Sequence, residues 1–141
     1  MSALTTFYIF LISVAYAVIG YILGNITFGA IVARLFKKNI RTMGSGNVGA
    51  TNVARTISKK WGLFVLLMDA IKTYAAVICA WGIFIVTIDV WTKALGTINF
   101  YPLVYVAGFF SIFGHCYPIK YIVCLLKHHF KASEAKAYSG G

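Results

Sequence analysis

The sequence predicts an all-α, polytopic integral membrane protein forming a single domain over residues 1–141. Three observations carry that expectation. Hydrophobic residues make up 60% of the chain and charged residues only 11%, against about half and about a quarter in soluble domains. Three long stretches are almost free of charge, and each exceeds the roughly 20 residues a helix needs to cross about 30 Å of hydrocarbon. The 13 Lys and Arg far outnumber the 3 Asp and Glu, and they gather between and after the apolar stretches. Such a composition excludes a disordered chain, a disulfide scaffold and a nucleic-acid-binding module built on a charged surface. Membrane lipids are the expected surroundings, with no nucleic acid partner.

The elements follow in chain order. Residues 4–24 form the first expected span, inside a segment without Asp, Glu, Lys or Arg. Asn25 and Thr27, set between Gly24 and Gly29, interrupt the apolar run; a broken helix lining a cavity and a turn at the membrane boundary fit equally well. A basic loop follows over residues 34–60, with Arg34, Lys37, Lys38, Arg41, Arg55, Lys59 and Lys60 and no acid. The second span covers residues 61–87 and carries only Asp69 and Lys72, three apart and therefore on one helical face. A short polar segment between Asp89 and Lys93 leads to the third span, residues 100–118, with His115 near its end. The tail, residues 120–141, holds Lys120, Lys127, Lys131 and Lys136 against Glu134.

This charge distribution sets the expected orientation. Lys and Arg concentrate on the cytoplasmic side of membrane proteins, so the basic loop and the tail belong in the cytoplasm and the N-terminus outside. No basic n-region precedes the first apolar run, so a cleaved signal peptide is not expected. Cys79, Cys116 and Cys124 are odd in number and lack metal-like spacing. They read as buried, inert thiols, with no metal and no cofactor.

The most unusual local sequence is Gly44-Ser45-Gly46-Asn47-Val48-Gly49-Ala50-Thr51-Asn52-Val53-Ala54-Arg55. The glycines allow sharp turning and close backbone approach to a ligand, and successive N–H groups in such a turn form a concave nest for an anion. Asn47 is a candidate N-cap for a helix over residues 48–59, whose positive end would add to the nest. Asn52 and Arg55 share a face of that helix. A phosphate-binding loop and a flexible interhelical turn both fit these residues. It is neither a Walker A loop nor a dinucleotide fingerprint, since no Lys-Ser/Thr pair follows it and no strand precedes it. Asp69 and Lys72 fit either a buried packing pair or a pocket to which Lys72 lends charge. His115 fits either a helix-packing hydrogen bonder or a ligand contact.

At these residues the chain resembles the PlsY-type acyl-phosphate:glycerol-3-phosphate acyltransferases, integral membrane enzymes of bacterial phospholipid synthesis. The segment Gly44–Arg55 reads as that family's first cytoplasmic motif, Asp69 with Lys72 matches its second span, and Gly114-His115 with Pro118 its third. The resemblance implies transfer of an acyl group from acyl phosphate to the sn-1 hydroxyl of glycerol 3-phosphate, at the bacterial cell (inner) membrane. It implies that Ser45 and Arg55 bind glycerol 3-phosphate, with Asn47, Asn52, Lys72 and His115 as further substrate contacts. Backbone N–H groups of Gly44, Gly46 and Gly49 would hold a phosphate. No residue is assigned as a nucleophile, because acyl phosphate is already activated and no base stands beside Ser45 in sequence. The chain departs from the family at Asn25, Thr27 and Thr73, where Ser, Pro and Gly are usual. The second motif, Gly-Gly-Lys-Gly, is matched only by Gly140-Gly141, whose backbone would join the phosphate loop, and its lysine is missing. The chain therefore resembles the N-terminal part of the enzyme, and the 141-residue form alone is expected to insert in a membrane without completing the site. The rival readings are a non-catalytic transporter or lipid-binding subunit with a phosphate-binding loop, and an inactive fragment.

Overall fold

The computed structural model describes residues 3–95, 101–120 and 122–123. Among the described residues the structure is all helix: α1 (Ala3–Gly24), α2 (Phe28–Leu35), a 3-10 turn (Ile40–Thr42), α3 (Ala50–Thr56), α4 (Lys59–Leu95), a second 3-10 turn (Tyr101–Leu103) and α5 (Val104–Cys116). Two apolar stretches are long enough to cross a membrane: residues 3–35, across α1 and α2, and most of α4.

Helix α1 covers the first apolar stretch, residues 4–24, where the sequence predicts a helix. The second runs further, because α4 has 37 residues, about 55 Å at 1.5 Å per residue. The expected break between Asp89 and Lys93 does not occur, since both lie within α4. Local charge alone does not end a helix whose backbone hydrogen bonds continue. The third expected span is shorter than residues 100–118, with only 13 residues in α5. The 3-10 turn containing Pro102 precedes it, and the bend at Tyr117 and Pro118 follows.

The long helices are inverted relative to soluble ones. Phe7, Phe10, Val14, Val18 and Ile22 on α1 are exposed, as are Leu63, Leu66, Leu67, Ile71 and Ile78 on α4. Small residues lie inside: Gly20, Gly24, Ala76, Ala80, Ala107, Ser111 and Gly114 are buried. Lipid tails are as apolar as leucine, so membrane helices associate through close backbone packing rather than through large side chains. A Cβ at Gly20 would overlap the Ala107 carbonyl, one at Gly24 the Ser111 carbonyl, and one at Gly114 the backbone of Tyr21. The ascending pairs 20–107 and 24–111 make α1 and α5 parallel. Helix α4 runs antiparallel to them, with Ala76 and Ala80 packed beside Tyr16, Val104 and Ala107. Cys79 is exposed on α4 and Cys116 half-buried, which corrects the expectation of buried thiols; Cys124 lies outside the described residues.

A second apolar cluster joins the short elements to the start of α4. It contains Val32, Ala33, Ile40, Val48, Val53 and Val65. Gly29 allows α2 to lie directly on the Val48 carbonyl, so the glycine-rich segment rests against packed helix.

Candidate functional site

Asn52 organises the glycine-rich loop. It is 2% exposed, and its Nδ2 donates to the carbonyls of Asn47 (2.7 Å), Met43 (3.0 Å) and Ile40 (3.3 Å). Its Oδ1 accepts from the Ser45 N–H at 3.1 Å. One carboxamide thus holds residues 40–47 around a single point on α3. Gly44 and Gly46 adopt positive φ of 57° and 73°, a region that L side chains enter only at a cost. A side chain at Gly44 would also meet Asn52 itself.

The N-terminal half of α3 differs from expectation. Asn47 Oδ1 accepts from the Gly49 N–H at 3.2 Å, a local turn that competes with capping, and the helix starts at Ala50 with Gly49 as its cap. The expected helix over residues 48–59 is two pieces. Both Ile57 and Ser58 N–H converge on the Val53 carbonyl, and Ser58 Oγ then accepts from Trp61 N–H to begin α4. Arg55 therefore lies in the last turn of a seven-residue helix. Two of the three glycine N–H groups expected in the backbone nest already have acceptors. Gly46 N–H donates to the Met43 carbonyl at 3.0 Å, and Gly49 N–H is taken by Asn47, so these donors are used within the loop. Ser45 and Arg55 are both exposed and leave their side chains to outside contacts.

Lys72 and His115 meet elsewhere. Lys72 is 5% exposed; its Nζ lies 2.9 Å from Asp69 Oδ1 and 2.9 Å from His115 Nδ1. It also donates to the carbonyls of Ile26 (2.6 Å) and Gly24 (3.1 Å). Those carbonyls are released where α1 ends, and a cation is favoured at a helix C-terminus. Asn25 completes the break: its Nδ2 donates to the Tyr21 carbonyl at 2.6 Å and its Oδ1 accepts from Ile119 N–H at 2.6 Å. The break between α1 and α2 is thus a built joint, with Lys72 directed into it rather than into an open pocket. Val65, in the apolar cluster beneath the glycine-rich loop, precedes Lys72 by about two helical turns.

Sequence reasoning singled out neither Arg34 nor Arg41. Both line a cavity of about 390 Å³ beside the α1–α2 joint and a second of about 380 Å³ next to it. Their signal was present in the two arginines flanking Lys37 and Lys38. Gly140 and Gly141 lie outside the described residues, as does most of the basic tail. Among the described residues no cluster of His, Cys, Asp or Glu could hold a metal ion.

Apolar helices packed through small residues, with a pinned glycine-rich loop at the base of α4, define a helical protein of the membrane type. The chain belongs to the glycerol-3-phosphate acyltransferase family, whose model matches residues 14–123. It is 36% identical over 135 residues to a glycerol-3-phosphate acyltransferase of Malacoplasma penetrans, covering 92% of this chain and 48% of that relative. To one of Agrobacterium fabrum it is 42% identical over 107 residues, covering 73% of this chain and 43% of the relative. Its fold is similar to the crystal structure of PlsY, an integral membrane glycerol 3-phosphate acyltransferase, in its glycerol 3-phosphate form. There the TM-score is 0.55 and the identity 32%, over 77% of this chain and 48% of that one. The chain spans about half the length of the curated relatives it matches.

Proposed function

We propose that this chain supplies the glycerol 3-phosphate-binding part of an acyltransferase that uses acyl phosphate as donor. The sn-1 hydroxyl oxygen attacks the acyl carbonyl carbon, and the bond from that carbon to the phosphate oxygen breaks. The products are lysophosphatidic acid and inorganic phosphate, the latter taking up the hydroxyl proton. Ser45 and Arg55 bind the glycerol 3-phosphate, with Arg55 opposing its phosphate. Asn47 and Asn52 hold the Ser45 loop against α3, Lys72 fixes the joint, and His115 closes on Lys72. Positioning and charge stabilisation would carry the catalysis.

The observation that carries this reading is the pinning of residues 40–47 to α3 by buried Asn52, which fixes the loop bearing exposed Ser45 against the helix bearing exposed Arg55. Family membership supports it, as does the likeness to a solved glycerol 3-phosphate acyltransferase. Residues 1–141 form one membrane domain in this reading, with three spans, the N-terminus outside and the loop facing the cytoplasm of a bacterial cell. The test uses purified protein in nanodiscs with acyl phosphate and labelled glycerol 3-phosphate, alone and supplied with the C-terminal half of the Malacoplasma penetrans relative. Labelled lysophosphatidic acid with matching phosphate release is expected in at least one arm. Its absence from both, with the relative active in parallel, would refute the proposal.

A further inference from the structure

The cavity beside the α1–α2 joint combines two kinds of wall. Its apolar lining includes Ile22, Ile31 and Ile119, which are 62%, 43% and 58% exposed. The same lining carries Arg34, Arg41 and Lys120, and no acid among the described residues. The neighbouring cavity shares both arginines and adds Lys37 and Lys38, so the cationic rim continues along the base of α2. Neither cavity is lined by Ser45 or Arg55.

Each wall selects part of a ligand. Arginine's planar fork matches the oxygens of a phosphate. Ile22 belongs to the exposed apolar face of α1, and Ile31 and Ile119 are exposed as well, so an anion without tails would leave all three wet. A molecule with a phosphate head and acyl tails covers both walls at once. We propose that this cleft binds an anionic bilayer phospholipid as a resident, non-reacting lipid, its phosphate on Arg34 and Arg41 and its tails along Ile22 and Ile119. Lys120, just beyond the end of α5, would be drawn to the same headgroup and so tie α5 to α2. The proposal depends on residence in a membrane and is independent of the acyl-transfer reading.

Native mass spectrometry of the purified chain tests it, with phosphatidylglycerol and phosphatidylcholine of identical acyl chains as probes. Preferential retention of phosphatidylglycerol is expected, weakened about tenfold by Arg34→Gln and again by Arg41→Gln. Lys59→Gln, at the exposed start of α4, should leave retention unchanged. Equal retention of both lipids, or equal loss in Lys59→Gln, would overturn the proposal in favour of diffuse surface charge. Displacement by inorganic phosphate would overturn it in favour of a free anion. An increased KM for acyl phosphate in Arg34→Gln would assign the cleft to the reacting donor instead, also against the proposal. Photoactivatable phosphatidylglycerol needs no variant: adducts should concentrate at Ile22 and Ile119, and an even spread to Leu66 and Ile78 on α4 would contradict a specific site.

Discussion

Replacing Asn52 by alanine should release the glycine-rich loop. The side chain's two Nδ2 hydrogens, shared among three carbonyls, and its Oδ1 tie it to the backbone of residues 40–47, in effect three hydrogen bonds. At about 1 kcal/mol net for each, and with partial rehydration of a loop near the surface, the loss is about 3 kcal/mol. Hydrogen exchange at the Ser45 amide, whose N–H loses its acceptor, should then accelerate about a hundredfold. Asn52→Asp sharpens the test. A carboxylate still accepts from Ser45 N–H but sets an oxygen against three carbonyls, so it should loosen the loop at least as much as alanine. Exchange mass spectrometry over residues 40–49 measures both variants. Unchanged exchange in both, with only the KM for glycerol 3-phosphate altered, would refute the pinning role and make Asn52 a direct ligand.

Three further outcomes follow from the same geometry. Lys72→Met should destabilise the detergent-solubilised protein by about 3 kcal/mol by stranding Asp69, and adding Asp69→Asn should recover part of the loss in a double-mutant cycle of thermal unfolding. Gly24→Leu should overlap the Ser111 carbonyl and part α1 from α5, lowering the thermal midpoint, whereas Gly82→Leu, where nothing lies within 4 Å of an added Cβ, should leave it unchanged. With native cysteines replaced, a cysteine at Lys38 should resist an impermeant thiol reagent in intact cells and one at Thr92 should react; the reverse pattern would invert the proposed orientation.

Much of the architecture was legible because the signals were strong and one-dimensional. An uncharged run such as residues 4–24 has few alternatives to a helix, and the Gly-Asn-Ile-Thr interruption after it marked a real joint. The spacing of Asp69 and Lys72 correctly placed them on one face. What could not be read were the partners brought in from distant segments. Nothing local to Lys72 announces that its donors meet Gly24 and Ile26, because those carbonyls become available only when α1 breaks. Asn47 shows the limit of capping rules: its side chain satisfies Gly49 N–H in a local turn, moving the helix start to Ala50. The continuous α4 shows another. Asp89 and Lys93 are polar enough to suggest a loop, yet they lie within a helix that outruns the expected span. The parallel seam of Gly20, Gly24, Ala107 and Ser111 was visible only as small residues four apart, a pattern that gains meaning once the two helices are seen to touch.

If α3, tied to the glycine-rich loop through Asn52, presents Arg55 to the phosphate of glycerol 3-phosphate, a change confined to its guanidinium should weaken binding. Arg55→Lys keeps the positive charge and removes the two-donor fork. Isothermal titration of glycerol 3-phosphate into the nanodisc-embedded protein should show binding weakened about tenfold or more, with the thermal midpoint unchanged because Arg55 is exposed. Wild-type affinity in Arg55→Lys and also in Arg55→Ala would contradict the account and leave the basic loop with a role in membrane topology alone.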